Sequence, residues 1–261
     1  MVYFVFNTVS MNTVIASKIN RLMTKLPTGV VYLSKWLADN DYSYDLQKAY
    51  RKSNWLTSIG NGAMVRSGDT VEYLGAIYAL QEYGKTSVHP GGKTALALSG
   101  RSHYLEMDSR KATVFGAVKE QLPTWFVKHD WEVEIVYHTT SMLPPEMGLI
   151  DHTISNFNIK ISGAPRAIME CLYLAEDQAD FKECYELMEG LNNLVPQKVE
   201  ALLSECTSVK VKRLFLYFAE KAGHAWFKYI KMDKIDLGKG KRSLVKNGIY
   251  VSKYQITVPQ I

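Results

Sequence analysis

Three short helical segments followed by a β-hairpin occupy the first quarter of the chain, and this order constrains the fold more than any other feature. Apolar residues recur at helical spacing over residues 12–26 and again over residues 30–37. A third helical segment begins at Ser43, which suits an N-cap, and runs to about residue 54. Strand-forming residues on both sides of Gly60-Asn61-Gly62 then predict a hairpin. This succession of elements is that of a winged helix-turn-helix domain.

The third predicted helix carries side chains that suit DNA reading. We expect its buried stripe to consist of Leu46, Ala49 and Tyr50. Long polar side chains lie on the opposite face, where Arg and Gln can contact purine edges and Lys and Tyr can contact phosphates. The hairpin adds one residue at its tip and one on its return strand. The predicted DNA-binding residues are Tyr44, Gln47, Lys48, Arg51, Lys52, Asn61 and Arg66. The alternative is an ordinary surface helix of a small bundle.

The rest of the chain mixes strand-like and helical segments. Residues 87–99 are expected to be extended or loop, and strand-like runs follow at 113–118, 125–128, 131–138 and 157–161. Helical spacing then extends over 167–175, 181–194, 197–206 and 209–221, before a strand-like end at 249–258. The predicted fold class is therefore α+β. We place a winged helix-turn-helix domain with a connecting helix at residues 12–105, and a mixed α+β domain at residues 106–261.

Charge is unevenly distributed along the chain. The formal net charge is +5 overall, made up of +5 over residues 1–105, −9 over residues 106–205 and +9 over residues 206–261. Such asymmetry is typical of proteins with nucleic-acid or acidic partners, although a solvated surface explains it equally well. The basic end predicts a possible second basic surface at Lys210, Lys212, Arg213, Lys239, Lys241 and Arg242. Aromatic residues are interleaved with this cluster, and we expect most of them to be buried.

Several chemical classes are excluded by missing motifs. Gly91-Gly92-Lys93-Thr94 resembles the end of a phosphate-binding loop, but the first glycine of that loop is absent. The histidines lack metal-ligand spacing, and neither Ser99 nor Ser162 lies in a hydrolase elbow. We therefore predict no catalytic residue, no metal and no cofactor. A nucleic-acid enzyme that uses Glu132, Glu134 and Asp151 as metal ligands is the alternative from another class.

Cysteine usage and the first residues bear on location. Cys171, Cys184 and Cys206 have no disulfide-like or metal-like spacing, so we expect free thiols in a cytoplasmic protein. Residues 1–10 are apolar, but they are too short to span a bilayer and lack the basic start of a signal peptide. No membrane partner is predicted. We also raise the hypothesis that translation starts at Met11.

The chain resembles the AbiEi-type antitoxins, which are transcriptional regulators of the abortive-infection, type IV toxin-antitoxin systems that confer phage resistance. The resemblance rests on the order and spacing of several short pieces. These are the Leu26-Pro27-Thr28-Gly29 turn, the helix-turn-helix, the stretch from His89 through Gly100, Leu122-Pro123-Thr124-Trp125-Phe126, and Tyr254 through Pro259. Residues 1–10 depart from the usual start of the family.

The resemblance implies a repressor that binds double-stranded DNA at inverted repeats upstream of its own operon. It also implies a second domain that opposes a nucleotidyltransferase-like toxin without forming a stable complex with it. By the same resemblance, DNA reading falls to Tyr44, Gln47, Lys48 and Arg51, and the wing role falls to Asn61 and Arg66. The alternative within this class is a stand-alone winged-helix regulator whose second domain senses a ligand or dimerises.

Overall fold

The structure is a computed structural model that describes residues 18–101 and 111–260. The proposed start at Met11, the first residues of the first helix and the predicted domain boundary at 105/106 lie outside these ranges. Contacts divide the chain into two compact units. The N-terminal unit comprises the chain up to Thr86 together with Leu122–Trp131 and Thr153–Ile159, and the C-terminal unit comprises the remainder. No helix within the described ranges is long and apolar enough to cross a bilayer.

The N-terminal unit is a winged helix-turn-helix, as predicted. Its elements are α1 (described over 18–25), β1 (Tyr32–Leu33), α2 (Ser34–Asp39), α3 (Tyr44–Lys52), β2 (Leu56–Gly60), β3 (Ala63–Arg66) and α4 (Tyr73–Tyr78), the last continued by a π-helical turn at Ala79–Tyr83. The three strands form an antiparallel sheet in the order β1-β3-β2. Tyr32 lies opposite Met64, which also lies opposite Ser58. Leu22, Leu37 and Tyr50 are buried in the core that these elements share.

A short helix, α6 (Thr124–Lys128), also belongs to the N-terminal unit, and the strand predicted at 125–128 is therefore wrong. The aromatic residues suggested a strand, but here they are buried in a helical turn that begins after Pro123. Trp131 donates its indole N–H to the Phe126 carbonyl at 2.8 Å and closes this turn. A Cβ at Gly60, whose φ is +158°, would lie 2.7 Å from the Trp125 Cβ, so only glycine permits β2 to approach the helix.

The C-terminal unit is the mixed α+β part of the chain. A sheet in the order β4-β5-β6 pairs β4 (His89–Pro90) antiparallel and β6 (Glu134–Thr139) parallel with β5 (Lys111–Gly116). β7 (Leu149–Ile154) and β8 (Phe157–Ser162) form another sheet, whose connecting part, Thr153–Ile159, is assigned to the N-terminal unit. The helices are α5 (Gly92–Leu98), α7 (Ala164–Leu174), α8 (Gln178–Glu189), α9 (Pro196–Glu205) and α10 (Val209–Lys221). A small sheet in the order β10-β11-β9 follows, with β9 (Arg242–Ser243), β10 (Ile249–Val251) and β11 (Ile256–Val258).

Most of the predicted elements of this unit are confirmed. The strand-like runs at 113–118, 131–138 and 157–161 correspond to β5, β6 and β8. The extended structure expected over 87–99 is wrong from Gly92 onwards, where α5 begins. The expectation of extended or loop structure rested on Pro90-Gly91-Gly92, but α5 begins at Gly92, packs against α7 and buries Ala95 and Leu96. Tertiary packing therefore overrides the local pattern.

A buried carboxylate joins the elements of the C-terminal unit. Glu170 of α7 is fully buried and accepts hydrogen bonds from the Gly92 amide at 2.9 Å and from the Ser162 hydroxyl at 2.7 Å. The Arg166 guanidinium donates to the same carboxylate at 2.8 Å, and His89 Nε2 lies 3.3 Å from it. Glu170 thus connects β4, the start of α5, the end of β8 and α7.

Arg166 extends this network to the loop before β7. Its Nη1 donates to the carbonyls of Pro144, Pro145 and Met147 at distances of 2.6 to 3.0 Å. A Cβ at Gly91 would collide with Glu170 Oε2 and with the Phe115 ring. Gly92 has a φ of +52°, a backbone conformation that favours glycine. The two glycines of the His89–Thr94 stretch therefore leave room for a carboxylate and shape the start of α5.

We expect Glu170→Gln to lower the free energy of unfolding by about 3–5 kcal/mol at neutral pH, because it leaves the buried Arg166 charge without its counter-ion. Burial raises the pKa of Glu170, but the hydrogen bond and charge of His89 and then those of Arg166 outweigh this and hold it below the ordinary 4.5. A carboxyl whose pKa is lowered by folding stabilises the folded state at pH values above its pKa in the unfolded chain. This contribution is lost as the pH falls through its pKa in the folded protein. The deficit of the variant should therefore shrink below pH 4.5.

Urea unfolding at several pH values measures this prediction, and Glu183→Gln is the matched control. Glu183 pairs with Lys93 at 2.7 Å, but both side chains are partly exposed. We expect this control to change stability by less than about 1 kcal/mol. A Glu170→Gln variant that is as stable as the control at neutral pH would contradict the role assigned to the buried carboxylate.

Candidate nucleic-acid interface

Helix α3 is fixed at its ends by side chains suited to those positions. The Ser43 hydroxyl accepts a hydrogen bond from the Leu46 amide at 3.3 Å and caps the first turn. Asp45 lies in the first turn, and Arg51 and Lys52 lie in the last, so their charges complement the helix dipole. Tyr44, Lys48, Arg51 and Lys52 are all exposed, and Tyr44 keeps 62% of its surface accessible. This face of α3 is free to contact a ligand.

Gln47 does not belong to this exposed face, and its predicted role in base reading is corrected. The side chain is fully buried, and its amide is satisfied by hydrogen bonds. Its Oε1 accepts from the Ser34 hydroxyl at 2.5 Å, and its Nε2 donates to the carbonyls of Ser34 at 2.9 Å and Tyr42 at 2.7 Å. Gln47 therefore fixes α3 to the start of α2 instead of reaching DNA.

The buried stripe of α3 also differs from the predicted one. Gln47 and Tyr50 are buried, whereas Leu46 is half-buried and Ala49 is exposed. The expected stripe assumed that apolar residues point inward. Three hydrogen bonds satisfy the Gln47 amide, so burying this polar side chain costs little free energy. Compared with the prediction, α3 is therefore rotated about its axis, so that Gln47 faces inward and Ala49 faces solvent.

An open groove runs between α3 and the hairpin and brings predicted residues together. Tyr44 and Arg51 line it from α3, and Asn61 lines it from the hairpin tip. The complete lining is Ser34, Lys35, Tyr44, Arg51, Ser58, Gly60, Asn61 and Gly62. The Arg51 guanidinium contacts the Met64 thioether at 3.2 Å, which positions it toward β3. The groove thus joins long donors with small, backbone-accessible residues, an arrangement suited to nucleic acid.

Sequence reasoning missed Lys35 and Ser58, which line the same groove. Lys35 lies on α2, for which no DNA contact was predicted. Ser58 lies on β2, the first strand of the hairpin. A polar residue on one face of a strand is common on any surface, so no signal in the sequence separates Ser58 from its neighbours. Lys35 was detectable only from the way the second helix packs beside α3.

Arg66 is committed to interactions within the N-terminal unit. Its Nε donates to the Tyr32 hydroxyl at 2.9 Å, and its Nη2 donates to the Leu26 carbonyl. The Tyr32 hydroxyl in turn donates to the Pro27 carbonyl at 2.8 Å. Arg66 therefore joins β3 to the segment that follows α1. The prediction that Arg66 contacts DNA from the wing is therefore corrected, since its guanidinium is used in these hydrogen bonds within the unit. Asn61 is exposed at the hairpin tip.

Three of the six cations predicted as a second basic surface are used within the C-terminal unit, two by donating to backbone carbonyls and one by burial. Lys210 donates to the carbonyls of Tyr173 and Ala175 at the end of α7, and burial lowers its pKa. Lys212 is buried. Arg213 is 1% exposed, so neither it nor Lys212 is available as a surface cation. The predicted surface is corrected at these three positions, because their place on a packed helix requires them to serve backbone carbonyls or the core.

The remaining three cations lie on a loop that Arg213 organises. The Arg213 guanidinium donates to the carbonyls of Leu237, Gly238, Gly240 and Gln255 at 2.7 to 3.1 Å. Lys239 and Lys241 are exposed on this loop, and Arg242 is exposed where the loop enters β9. A buried arginine thus fixes the backbone of a segment whose own side chains project into solvent.

The geometry does not assemble the alternative metal site. Glu134 pairs with Lys111 at 3.3 Å, and Asp151 pairs with Lys160 at 2.8 Å. Within residues 18–101 and 111–260, no group of three or more His, Cys, Asp or Glu side chains is placed to hold a metal ion. Glu134 and Asp151 are therefore members of surface ion pairs.

Comparisons with known proteins agree with this architecture. The family model for the N-terminal domain of the AbiEi antitoxin transcriptional regulators matches residues 15–107, and the model for the AbiEi antitoxin transcriptional regulator of type IV TA systems matches residues 109–259. No curated protein matches the chain in sequence.

A solved structure has a similar fold. The RV2827C protein from Mycobacterium tuberculosis superposes with a TM-score of 0.56 over 94% of this chain and 89% of that one, at 11% sequence identity. At this identity the likeness concerns the fold alone. The two family models together span nearly the whole sequence, and the chain belongs to the AbiEi family of type IV toxin-antitoxin systems, in which it is a transcriptional regulator and antitoxin.

Proposed function

We propose that the protein represses its own operon by binding inverted repeats upstream of it through the groove between α3 and the hairpin. The observation that carries this proposal is the convergence of Tyr44, Arg51 and Asn61 on one open groove. Arg51 is the base-reading residue, because its guanidinium can make two hydrogen bonds to a guanine edge. Lys48 and Lys52, exposed beside it, contact phosphates, as does Lys35.

The remaining exposed cations take a less specific role. Lys239, Lys241 and Arg242 contact phosphates of nucleic acid without sequence preference, since exposed cations neutralise phosphate charge whatever the sequence. The partner that the antitoxin opposes is a nucleotidyltransferase-like toxin, with which it forms no stable complex. Its place of action is the cytoplasm, where both DNA and such a toxin are accessible.

Fluorescence anisotropy of the full chain on labelled duplex from upstream of its gene, beside a scrambled duplex, tests the repressor. We expect tighter binding to the native fragment and a logarithmic affinity that falls linearly with the logarithm of salt concentration. Equal and weak binding to both duplexes would contradict the proposal of sequence-specific repression.

Arg51→Ala should weaken binding to the native duplex by about 1–3 kcal/mol and binding to scrambled duplex much less, because it removes base contacts. The same titration of both duplexes measures this. Lys182→Ala is the matched control, since Lys182 is an exposed lysine of α8 in the C-terminal unit. If Arg51→Ala weakens both duplexes equally, Arg51 contacts phosphates and not bases.

Gln47→Ala should act on the fold instead of on sequence preference. It leaves the Ser34 and Tyr42 carbonyls without their donor, so we expect a loss of about 1–3 kcal/mol in unfolding free energy. At a temperature where the variant is folded, it should still prefer the native to the scrambled duplex, because the side chains that face the groove are unchanged. If the variant is as stable as the wild type but prefers different bases, Gln47 contacts bases and the correction of its role is wrong.

A further inference from the structure

The C-terminal unit exposes aromatic rings that are paired with lysines. Tyr229 keeps 61% of its surface accessible and Tyr250 keeps 43%, whereas Phe215, Phe218 and Trp226 are buried as expected. Lys228 Nζ lies 5.0 Å from the centroid of the Tyr229 ring, and Lys241 Nζ lies 5.1 Å from that of Tyr250. Some of the aromatic residues that are interleaved with basic residues in the sequence are therefore on the surface, and packing in the core does not explain their presence.

The two tyrosines belong to neighbouring segments. Lys253 Nζ lies 5.9 Å from the Phe227 ring and 5.4 Å from the Tyr254 ring, so the turn at Phe227–Tyr229 lies beside the segment that follows β10. Lys253 also pairs with Glu220. We name the region formed by Lys228, Tyr229, Lys241, Tyr250 and Lys253 the tyrosine-lysine surface.

The Tyr250 ring stands on the solvent side of a fixed sheet. Tyr250 lies opposite Thr257, and Thr257 lies opposite Ser243, so these three side chains share one face of the small sheet. Ile256 and Val258 on the other face are fully buried. The loop that carries Lys241 is held by the four carbonyl contacts of Arg213. Little ordering is therefore required when a ligand binds here.

The charge around this surface is strongly positive. Residues 222–261 carry eight Lys or Arg side chains and two carboxylates, and the preceding Glu220 pairs with one of these lysines, Lys253. One of the two, Asp236, accepts a hydrogen bond from the Gly238 amide at 2.8 Å and so serves the loop itself. A polyanion is the ligand that such a field attracts.

We propose that the tyrosine-lysine surface binds single-stranded nucleic acid. Bases stack on the Tyr229 and Tyr250 rings, and the flanking lysines move from the rings to the phosphates. Exposed aromatic rings and a basic surface are the two components by which proteins hold single strands. A duplex hides its base faces, so phosphate contacts alone would leave the exposed rings without a function. The surface lies in a different unit from the duplex-reading groove, and either proposal can fail without the other.

Anisotropy titrations of the full chain with labelled 20-nucleotide oligomers of uridine and of deoxythymidine test the proposal, with a random 20-base-pair duplex as reference. Tyr229→Leu and Tyr250→Val should each weaken binding of the single strands about tenfold and leave duplex binding within twofold. Tyr250→Phe should bind like the wild type, because it keeps the ring. Equal losses for both oligomers indicate general single-strand binding, and a loss for uridine alone identifies RNA as the ligand.

Tyr173→Leu and Tyr44→Leu are the matched controls. Tyr173 is a partly exposed tyrosine of α7 in the same unit, and no loss is expected there. Tyr44 lies on α3, so its variant should weaken the duplex and not the single strands. Cross-linking of an oligomer that contains 5-iodouridine, read by mass spectrometry, gives a readout without substitutions. Cross-links should map to residues 227–231 or 249–254.

Three outcomes would overturn the proposal. The first is single-strand binding that the tyrosine variants leave unchanged, which would mean attraction to charge alone. The second is a set of cross-links confined to the N-terminal unit. The third is displacement of the oligomers by a peptide of ten glutamates at the same concentration as by unlabelled oligomer, which would indicate a site for an acidic protein.

Discussion

The ionised Glu170 side chain is the interaction on which the C-terminal unit depends. A carboxylate without solvent needs several donors, and each donor that it uses comes from a different element. The sequence therefore supplies two glycines that leave space for it, a serine at the end of β8 and an arginine one turn earlier on α7. Gly91-Gly92-Lys93-Thr94 resembles the end of a phosphate-binding loop in sequence, and in the folded protein the Gly92 amide donates to this carboxylate of the chain itself.

The two units organise their binding surfaces by a common principle. In each, a buried polar side chain donates to backbone carbonyls and thereby fixes a segment whose other side chains face solvent. Gln47 does this for α3, and Arg213 does it for the basic loop. Hydrogen bonds to the backbone do not depend on the identity of the partner residues. The exposed side chains around them are those to which we assign binding, while the buried ones set the geometry.

The sequence predicts the winged helix-turn-helix and most strands, because helical spacing and the Gly60-Asn61-Gly62 turn are local signals. It fails where packing decides. The aromatic residues at 125–128 favour a strand by propensity, yet they form α6 against Gly60. Exposed α3 residues are correctly placed on one face, but Gln47 and Arg66 are not, because a long polar side chain looks the same in sequence whether it meets solvent or a buried carbonyl. For the same reason, the sequence does not distinguish Arg213, which donates to backbone carbonyls, from Lys241, which is exposed to solvent.

The anchoring of α3 by Gln47 bears on how the specificity of such a regulator changes. Its three partners are a hydroxyl and two carbonyls outside α3, so the orientation of the helix does not rely on the residues that face the groove. Substitutions at positions 44, 48 and 51 therefore leave these three anchoring hydrogen bonds intact. If the proposed groove reads the operator, its sequence preference can change by single substitutions while the domain stays folded.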